Sequence, residues 1–492
     1  MRVGFEFIFD ESPLMIEVAW RLKKEYGVEV IGVSCGNRWK HLLKKKRFKL
    51  VNLGEYLAQN WEGYKFSKAT LSELEGKYGE VHNIWWFIDV DRFINNVNRK
   101  KFSSKGEKLK LLCLHFKFWE EFYSRYHPDY FYTTGIHCLA LLTSIAVAQH
   151  QQVKFRSFTS ARFPQPRFLF VSNYLDEWEE ANNFFGKILN LKVSDQELKE
   201  AYDFLNMFLT TPSKPFYVTT KKSFDFYFYL VREFFRRLKW KYVDGWGKDR
   251  FEYFTPPLLS RTRQEIEARI KKVILYKFYF NQYAYKTPPP GMDYLFCTLQ
   301  VQPEEATDLW GMYHSNQIAF IENIAKSLPL NVKLLVKEHI PAVGWREGIK
   351  KFYEKINRIS NVELVHPLAD TYEFIKKAKA VVVNSGTVGW EALLFKKPVI
   401  IFGEAFYNHS GLTYRVENFR DFRNTLKIIL HKERIFPDNY EDILTKFIYS
   451  LLKNTFPGEY APYYCGEERI LSEENINKIL IGILRDIKIL RD

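Results

Sequence analysis

At 492 residues the chain is too long for one ordinary core and long enough for two, and its 46% of hydrophobic residues exclude a disordered chain. A formal charge of +15 favours anionic partners such as nucleotides, acidic glycans or anionic lipid; the basic residues are spread along the chain without a recognisable module, which argues against nucleic acid. Five isolated cysteines (Cys35, Cys113, Cys138, Cys297 and Cys465), with no CxxC pair, exclude a disulfide framework or zinc ribbon and fit a reducing cytosol. The N-terminus lacks a signal-peptide pattern and no apolar run is long enough to span a bilayer. The expected location is cytoplasmic, with any membrane contact peripheral and at the inner face.

The chain opens as strand, helix, strand: an apolar run over Val3–Phe9, a helix start at Ser12-Pro13, a stop at Gly27 and a second apolar run over Val28–Val33. That order predicts a β-α-β unit on a parallel sheet. Residues 56–125 read as mainly helical and aromatic. The β-α rhythm returns at Asp129–Thr133, continues through an apolar helix over 138–148, and reaches a short strand at Lys154–Phe158. Residues 1–215 are read as a first domain.

Residues 216–290 are dense in Phe, Tyr, Lys and Arg. Either they form a helical linker whose aromatics pack between domains, or they form a basic amphipathic surface that sits on anionic lipid. The run Pro288-Pro289-Pro290-Gly291 marks a boundary. Beyond it, strands are predicted at 294–299, 332–337, 362–365, 380–383 and 398–402, alternating with helices at 314–327, 346–358, 370–378 and 388–395. This is a doubly wound α/β domain, taken as 291–455, with a tail and final helix over 456–492.

The strongest chemical signal is Asn384-Ser385-Gly386-Thr387, between a strand and a helix. Ligands of open α/β sheets sit at the carboxyl ends of strands, and a helix N-terminus offers unsatisfied N–H groups to a phosphate. Gly386 and Gly389 are expected to clear space, and Ser385 and Thr387 to add hydroxyls. Glu391 either binds ribose hydroxyls or is a dipole-favoured acid. Two further loops end strands of the same domain. Gln302-Pro303-Glu304 offers Glu304 as an acid/base or sugar-hydroxyl ligand, or a solvated acid. Lys337-Glu338-His339, followed by Gly344 and Arg346, offers cations to an anionic phosphate, with a structural histidine as the alternative for His339.

The run Ser385-Gly-Thr-Val-Gly-Trp-Glu-Ala-Leu-Leu-Phe-Lys-Lys-Pro-Val-Ile-Ile-Phe-Gly-Glu-Ala-Phe-Tyr407 resembles the signature of the capsule polysaccharide biosynthesis proteins, which include Kdo transferases. Gln302-Pro303-Glu304 resembles that family's QPE motif, and His339 with Gly344 and Arg346 its HP motif. The resemblance covers residues 294 to about 415. Ile340 departs from it at the Pro of the HP motif, as does Gln300, where a His often precedes the QPE. The resemblance implies a GT-B fold, two Rossmann-like doubly wound domains facing a cleft. It also implies a nucleotide-sugar donor, CMP-Kdo in the Kdo-transferring members, held by the C-terminal domain, and a glycan or glycolipid acceptor met by the N-terminal one.

Donor-binding residues are then expected to be Ser385, Gly386, Thr387, Gly389, Glu391, Lys337, Arg346 and Gln302. Glu304, His339 and Asp10 are the catalytic candidates, and Arg162 a ligand for acceptor or phosphate. No cofactor and no metal is expected, since no DxD-type pair is placed to hold one. A nucleotide-sugar epimerase or hydrolase of the same fold, and a non-catalytic glycan- or lipid-binding assembly protein, are the other readings.

Overall fold

The structure, a computed structural model, describes residues 1–80, 83–97, 101–213, 223–242, 250–254, 258–346, 348–431, 435–462 and 466–490. Among these, the strands in chain order are β1 (Arg2–Phe7), β2 (Glu29–Ser34), β3 (Lys49–Asn52), β4 (Tyr130–Thr133), β5 (Lys154–Ser160), β6 (Arg167–Val171), β7 (Ala284–Tyr285), β8 (Tyr294–Thr298), β9 (Lys333–Lys337), β10 (Val362–Val365), β11 (Ala380–Val383), β12 (Val399–Ile401), β13 (Tyr414–Arg415) and β14 (Phe456–Pro457). They form two sheets, and the chain divides into two units. One is 1–174 with 214–262 and 455–492; the other is 175–213 with 263–454.

The first sheet has the order β14-β6-β5-β4-β1-β2-β3. β1 to β5 run parallel, while β6 pairs antiparallel with β5, and β14 antiparallel with β6. One face is sealed by Leu14, Val18 and Leu22 of the helix Ser12–Tyr26 together with Ile476, Ile479 and Ile483 of the helix Glu473–Asp486. Leu112, Phe116 and Trp119 of the helix Lys105–Tyr126 are buried, as are Leu142 and Ile145 of its neighbour Leu139–His150. Aromatic strands such as Tyr130-Phe131-Tyr132 are therefore apolar throughout, as expected for a parallel sheet covered on both faces.

Two helix starts differ in how they are capped. Ser12 does not cap its helix: the N-cap is Glu11, and the Ser12 hydroxyl donates to the Phe9 carbonyl at 2.7 Å. Asp370 does cap, accepting the Tyr372 N–H at 3.0 Å.

Strand order reverses between β1 and β4, and Glu6 lies at that switch point, 1% exposed. Its carboxylate accepts from the N–H groups of Ile8 and Phe9 and, at 3.2 Å, from the Thr134 hydroxyl. Burial pushes the Glu6 carboxyl up, against the pull of those donors.

The second sheet is all parallel, with the order β13-β12-β11-β8-β9-β10-β7. From β8 onward this is the dinucleotide-fold order, with the reversal between β8 and β11. Leu295, Cys297, Leu334, Val336, Val382 and Ile400 face one core with Phe320, Ile321 and Ile324 of the helix Gln317–Ser327. On the other side Phe296 stacks on Phe374 with centroids 5.8 Å apart.

Two segments change allegiance relative to the sequence reading. Residues 175–213, read with the first domain, pack with the second sheet's unit, where Trp178 stacks on Phe406 at 4.0 Å and 10°. The tail after 455 belongs to the first unit: β14 extends its sheet and the last helix lies on it. There Asp486, whose side chain is 3% exposed, meets Arg156 Nε at 3.0 Å and accepts from the Tyr132 hydroxyl. Of the linker region, 250–254 fall in the first unit and 263–290 in the second; 216–222, 243–249 and 255–257 lie outside the described residues.

Asp486→Ala is expected to leave Arg156 without its carboxylate and to destabilise the first unit by about 3 kcal/mol. The check is an earlier urea transition followed by circular dichroism.

Candidate functional site

The site sits at the switch point of the second sheet, where the loops after β8, β9 and β11 meet. β11 ends in Val383, and the helix Thr387–Leu394 begins four residues later. Its N-cap is Gly386 rather than Thr387, at φ 102° and ψ 171° with no side-chain cap. The left-handed φ suits glycine, and a Cβ there would stand 2.7 Å from the Gln300 amide nitrogen. Glu391 therefore lies in the second turn, 7% exposed.

The carbonyls of this loop are all taken from behind. That of Asn384 accepts the Gly403 N–H at 2.7 Å, that of Ser385 accepts the Gln300 side-chain amide, and that of Gly386 accepts the Tyr407 hydroxyl at 2.7 Å. Among the described residues no protein acceptor meets the N–H groups of Gly386, Thr387 and Val388, and all three residues are half-buried. A helix start with its carbonyls tied back and its N–H groups unspent has the chemistry to take an anion.

Several predicted side chains have other work. The Ser385 hydroxyl, 3% exposed with its residue, donates to the Ala306 carbonyl and accepts from Gln300 at 3.2 Å, so it clamps the loop instead of offering a donor. Gly389 clears room for Tyr407, whose hydroxyl oxygen would lie 2.2 Å from a Cβ, and not for a phosphate.

Arg346 forms a buried ion pair with Glu338, the side chains being 8% and 0% exposed, and donates to the Gln300 carbonyl at 2.8 Å. Its charge is already matched. Glu338 also accepts from the His339 N–H at 2.7 Å and the Tyr353 hydroxyl at 2.7 Å. Burial and the Glu338 carboxylate push the Tyr353 phenol up. Lys337 is 5% exposed and meets the Thr371 hydroxyl at 2.9 Å.

Gln302 and Glu304 lie on the exposed loop after β8. Gln302 donates to Asp308 at 2.9 Å, and the Glu304 N–H donates to the other Asp308 oxygen at 3.1 Å. The Gln302–Pro303 bond is cis. His339 is exposed, at the start of the loop after β9. These hydrogen bonds join the three predicted loops into one network through Gln300, Arg346 and Ser385.

In the first unit Asp10 follows β1 and pairs with Arg38, and Arg162 sits in the turn between β5 and β6, donating to the Ser160 carbonyl at 2.9 Å.

The residues that sequence reasoning passed over are Gln300, Glu338 and Tyr407. Gln300 is the hub: its N–H donates to Gln317 Oε1 at 2.8 Å and its carbonyl accepts from Gln317 Nε2 at 3.1 Å, in addition to its bonds with Ser385 and Arg346. Each stood inside a motif already quoted, yet only tertiary contacts give it a role.

Arg346→Ala is expected to strand the buried Glu338 carboxylate and to lower stability by about 3–5 kcal/mol. Thermal and urea unfolding of the full chain measure this; an unchanged transition would make Arg346 dispensable as a strut.

Residues 260–437 match the family described as capsule polysaccharide biosynthesis protein, a wider stretch than the motifs alone cover. The capsule polysaccharide export protein KpsS of Escherichia coli is 31% identical over 96 residues, 19% of this chain and 24% of that protein's length. Among solved structures the chain is similar to the beta Kdo 2,7 transferase of Thermosulfurimonas dismutans KpsC, at 12% identity and TM-score 0.37 over 75% of this chain and 88% of that one. It is also similar to the UDP-GlcNAc 2-epimerase from Methanocaldococcus jannaschii, at 12% identity and TM-score 0.26 over 92% and 99%. The segment 260–437, which is similar to the capsule polysaccharide biosynthesis protein family, holds the whole second sheet and its three site loops.

Proposed function

We propose that the chain is a glycosyltransferase of capsule polysaccharide synthesis. On this reading it transfers a sugar from a nucleotide donor to a polysaccharide or glycolipid acceptor. The observation that carries the reading is the set of unspent N–H groups at Gly386, Thr387 and Val388, at the carboxyl edge of a sheet's switch point. CMP-Kdo is the donor that the family resemblance points to.

As the glycosidic bond to phosphate breaks, negative charge grows on the leaving oxygen and positive charge at the anomeric carbon. Main-chain N–H groups held in place by Gln300 and Tyr407 stabilise that phosphate without reorganising. His339 and Glu304, both exposed on neighbouring loops, are the candidates for phosphate contact and for acid/base work. Glu391 is proposed as a ribose ligand, and Lys337 adds positive potential beneath the loop. Asp10 is the catalytic candidate of the first unit, and Arg162 the candidate ligand for acceptor or phosphate.

A screen of CMP, UDP, GDP and ADP by thermal shift is expected to show stabilisation by one nucleotide, set by its concentration relative to Kd. Thr387→Pro tests the anion site directly. Proline suits the first helical position, and Gly386 before it, at ψ 171°, lies outside the helical ψ range that a following proline disfavours, so the fold survives while one N–H is deleted. Loss of one charge-assisted hydrogen bond, about 1.5–3 kcal/mol, weakens nucleotide binding roughly tenfold to a hundredfold, with Thr387→Ala as the side-chain control. Equal affinity in Thr387→Pro and Thr387→Ala would move the phosphate elsewhere.

Glu304→Gln and His339→Ala are expected to abolish sugar transfer while leaving the fold intact, as read by circular dichroism. Product formation with and without a glycolipid acceptor reads this, and turnover without acceptor would favour an epimerase or hydrolase.

A further inference from the structure

The helix Leu258–Ile274 carries apolar residues on two opposite sides. Its inner side holds Ala268 and, just beyond its end, Leu275, each 5% exposed. There it passes close to the loop after β9: a Cβ on Gly344 would stand 2.1 Å from the Ala268 carbonyl oxygen, and Lys272 Nζ lies 3.4 Å from the Ile340 carbonyl. The outer side presents Ile266, Ile270, Val273 and Ile274, exposed by 47, 56, 57 and 51%, followed by Phe278 at 62%.

The spacing from 266 to 274 places the four aliphatic residues on one stripe of an α-helix. A surface helix normally turns polar residues outward. β-branched residues are also poor helix formers, so local propensity gives no reason for them here.

The border of the stripe is basic. Arg263, Lys271, Lys277 and Lys286 are exposed, and the sequence from Leu258 to Lys286 has seven Lys or Arg against two Glu, net +5. Glu267 is held by Arg263 at 2.6 Å and by Lys271 at 3.8 Å. A second copy of the chain would bring two surfaces of the same sign together. An anionic bilayer supplies both the opposite charge and an apolar interior, and long basic side chains reach up to its headgroups. The first unit repeats the pattern on the helix Ser223–Tyr242: Val231, Phe235 and Tyr242 are exposed by 55, 63 and 69%, beside exposed Arg232, Lys239 and Lys241.

We infer that the outward face of Ile266, Ile270, Val273, Ile274 and Phe278 docks on an anionic phospholipid surface. The docking stands independently of the chemistry. Its consequence, that the His339 loop braced by this helix meets a lipid-borne acceptor, rests on the transferase reading.

The full chain is mixed with vesicles of phosphatidylglycerol and phosphatidylcholine in equal parts, or of phosphatidylcholine alone, and sedimented. Binding to the anionic vesicles only is expected. Ile270→Asp with Phe278→Asp is expected to reduce it more than about tenfold, because each carboxylate opposes both the lipid charge and the apolar contact. Lys271→Glu with Lys277→Glu, which leaves the stripe intact, is expected to weaken binding and reduce its salt dependence.

A native-like circular-dichroism spectrum and thermal transition in the Asp variant show that it is folded. If vesicle binding is lost while that transition persists, docking holds whatever the enzymatic outcome. Native-like vesicle binding by the Asp variant overturns the proposal. So does a native chain that ignores anionic vesicles, or an Asp variant whose only change is dissociation of a dimer in sedimentation velocity.

Discussion

One side-chain amide holds the second unit's functional edge together. Gln300 leaves the end of β8 and donates across the switch point to the backbone of Ser385, past β11. Without that bond the Ser385 carbonyl would need another donor, and the Val388 N–H stands three residues on, the spacing of a turn hydrogen bond. By supplying the donor from a side chain, Gln300 keeps the helix start open to an anion. The first unit solves the same geometric problem with the opposite polarity: Glu6, on β1, accepts from Thr134 beyond β4. A parallel sheet leaves a gap where its strand order reverses, and in each unit a polar side chain on, or just after, a strand flanking that gap bridges it.

Positive charge in the second site is placed more sparingly than its Lys, His and Arg content suggests. Arg346 is neutralised by Glu338 and serves as a strut between the loops after β8 and β9. Lys337 is buried against Thr371. What remains to face an anion is mostly neutral main-chain dipole. Such dipoles are fixed by the fold, so they bind charge that appears transiently without first having to turn toward it.

Much of this was legible in the residues. Glycine and hydroxyl side chains between an Ala-Val-Val-Val strand and a helix mark a strand-to-helix loop at a sheet edge, and the three polar loops fall at strand ends because parallel sheets put their connections there. The roles within the loop were not legible. Ser385 and Gly389 look like ligand residues in sequence, yet their partners are Ala306 and Tyr407, which are distant in the chain. Gln300 read as a departure from a motif and proved to be its hub. Short edge strands such as β3 and β13 carry too few residues to show a period, and β14 is two residues long. The attachment of residues 175–213 to the second unit is made by tertiary contacts that no local pattern encodes, among them Trp178 on Phe406, Phe185 on Phe447 and Phe208 on Phe395.

The chain passes from one unit to the other and back before it is finished, and this orders events during synthesis. β6 is complete by residue 171, but its neighbour β14 and the helix Glu473–Asp486 emerge only after the entire second sheet has been made. Until then the nascent sheet shows a bare strand border and an uncovered floor of Phe158 and Phe168. Exposed borders of that kind recruit other strands, so the ribosome-bound intermediate is a natural client for holding chaperones. Late closure also means that cleavage between residues 454 and 455 would sever the first unit from its own last strand while sparing every residue of the second.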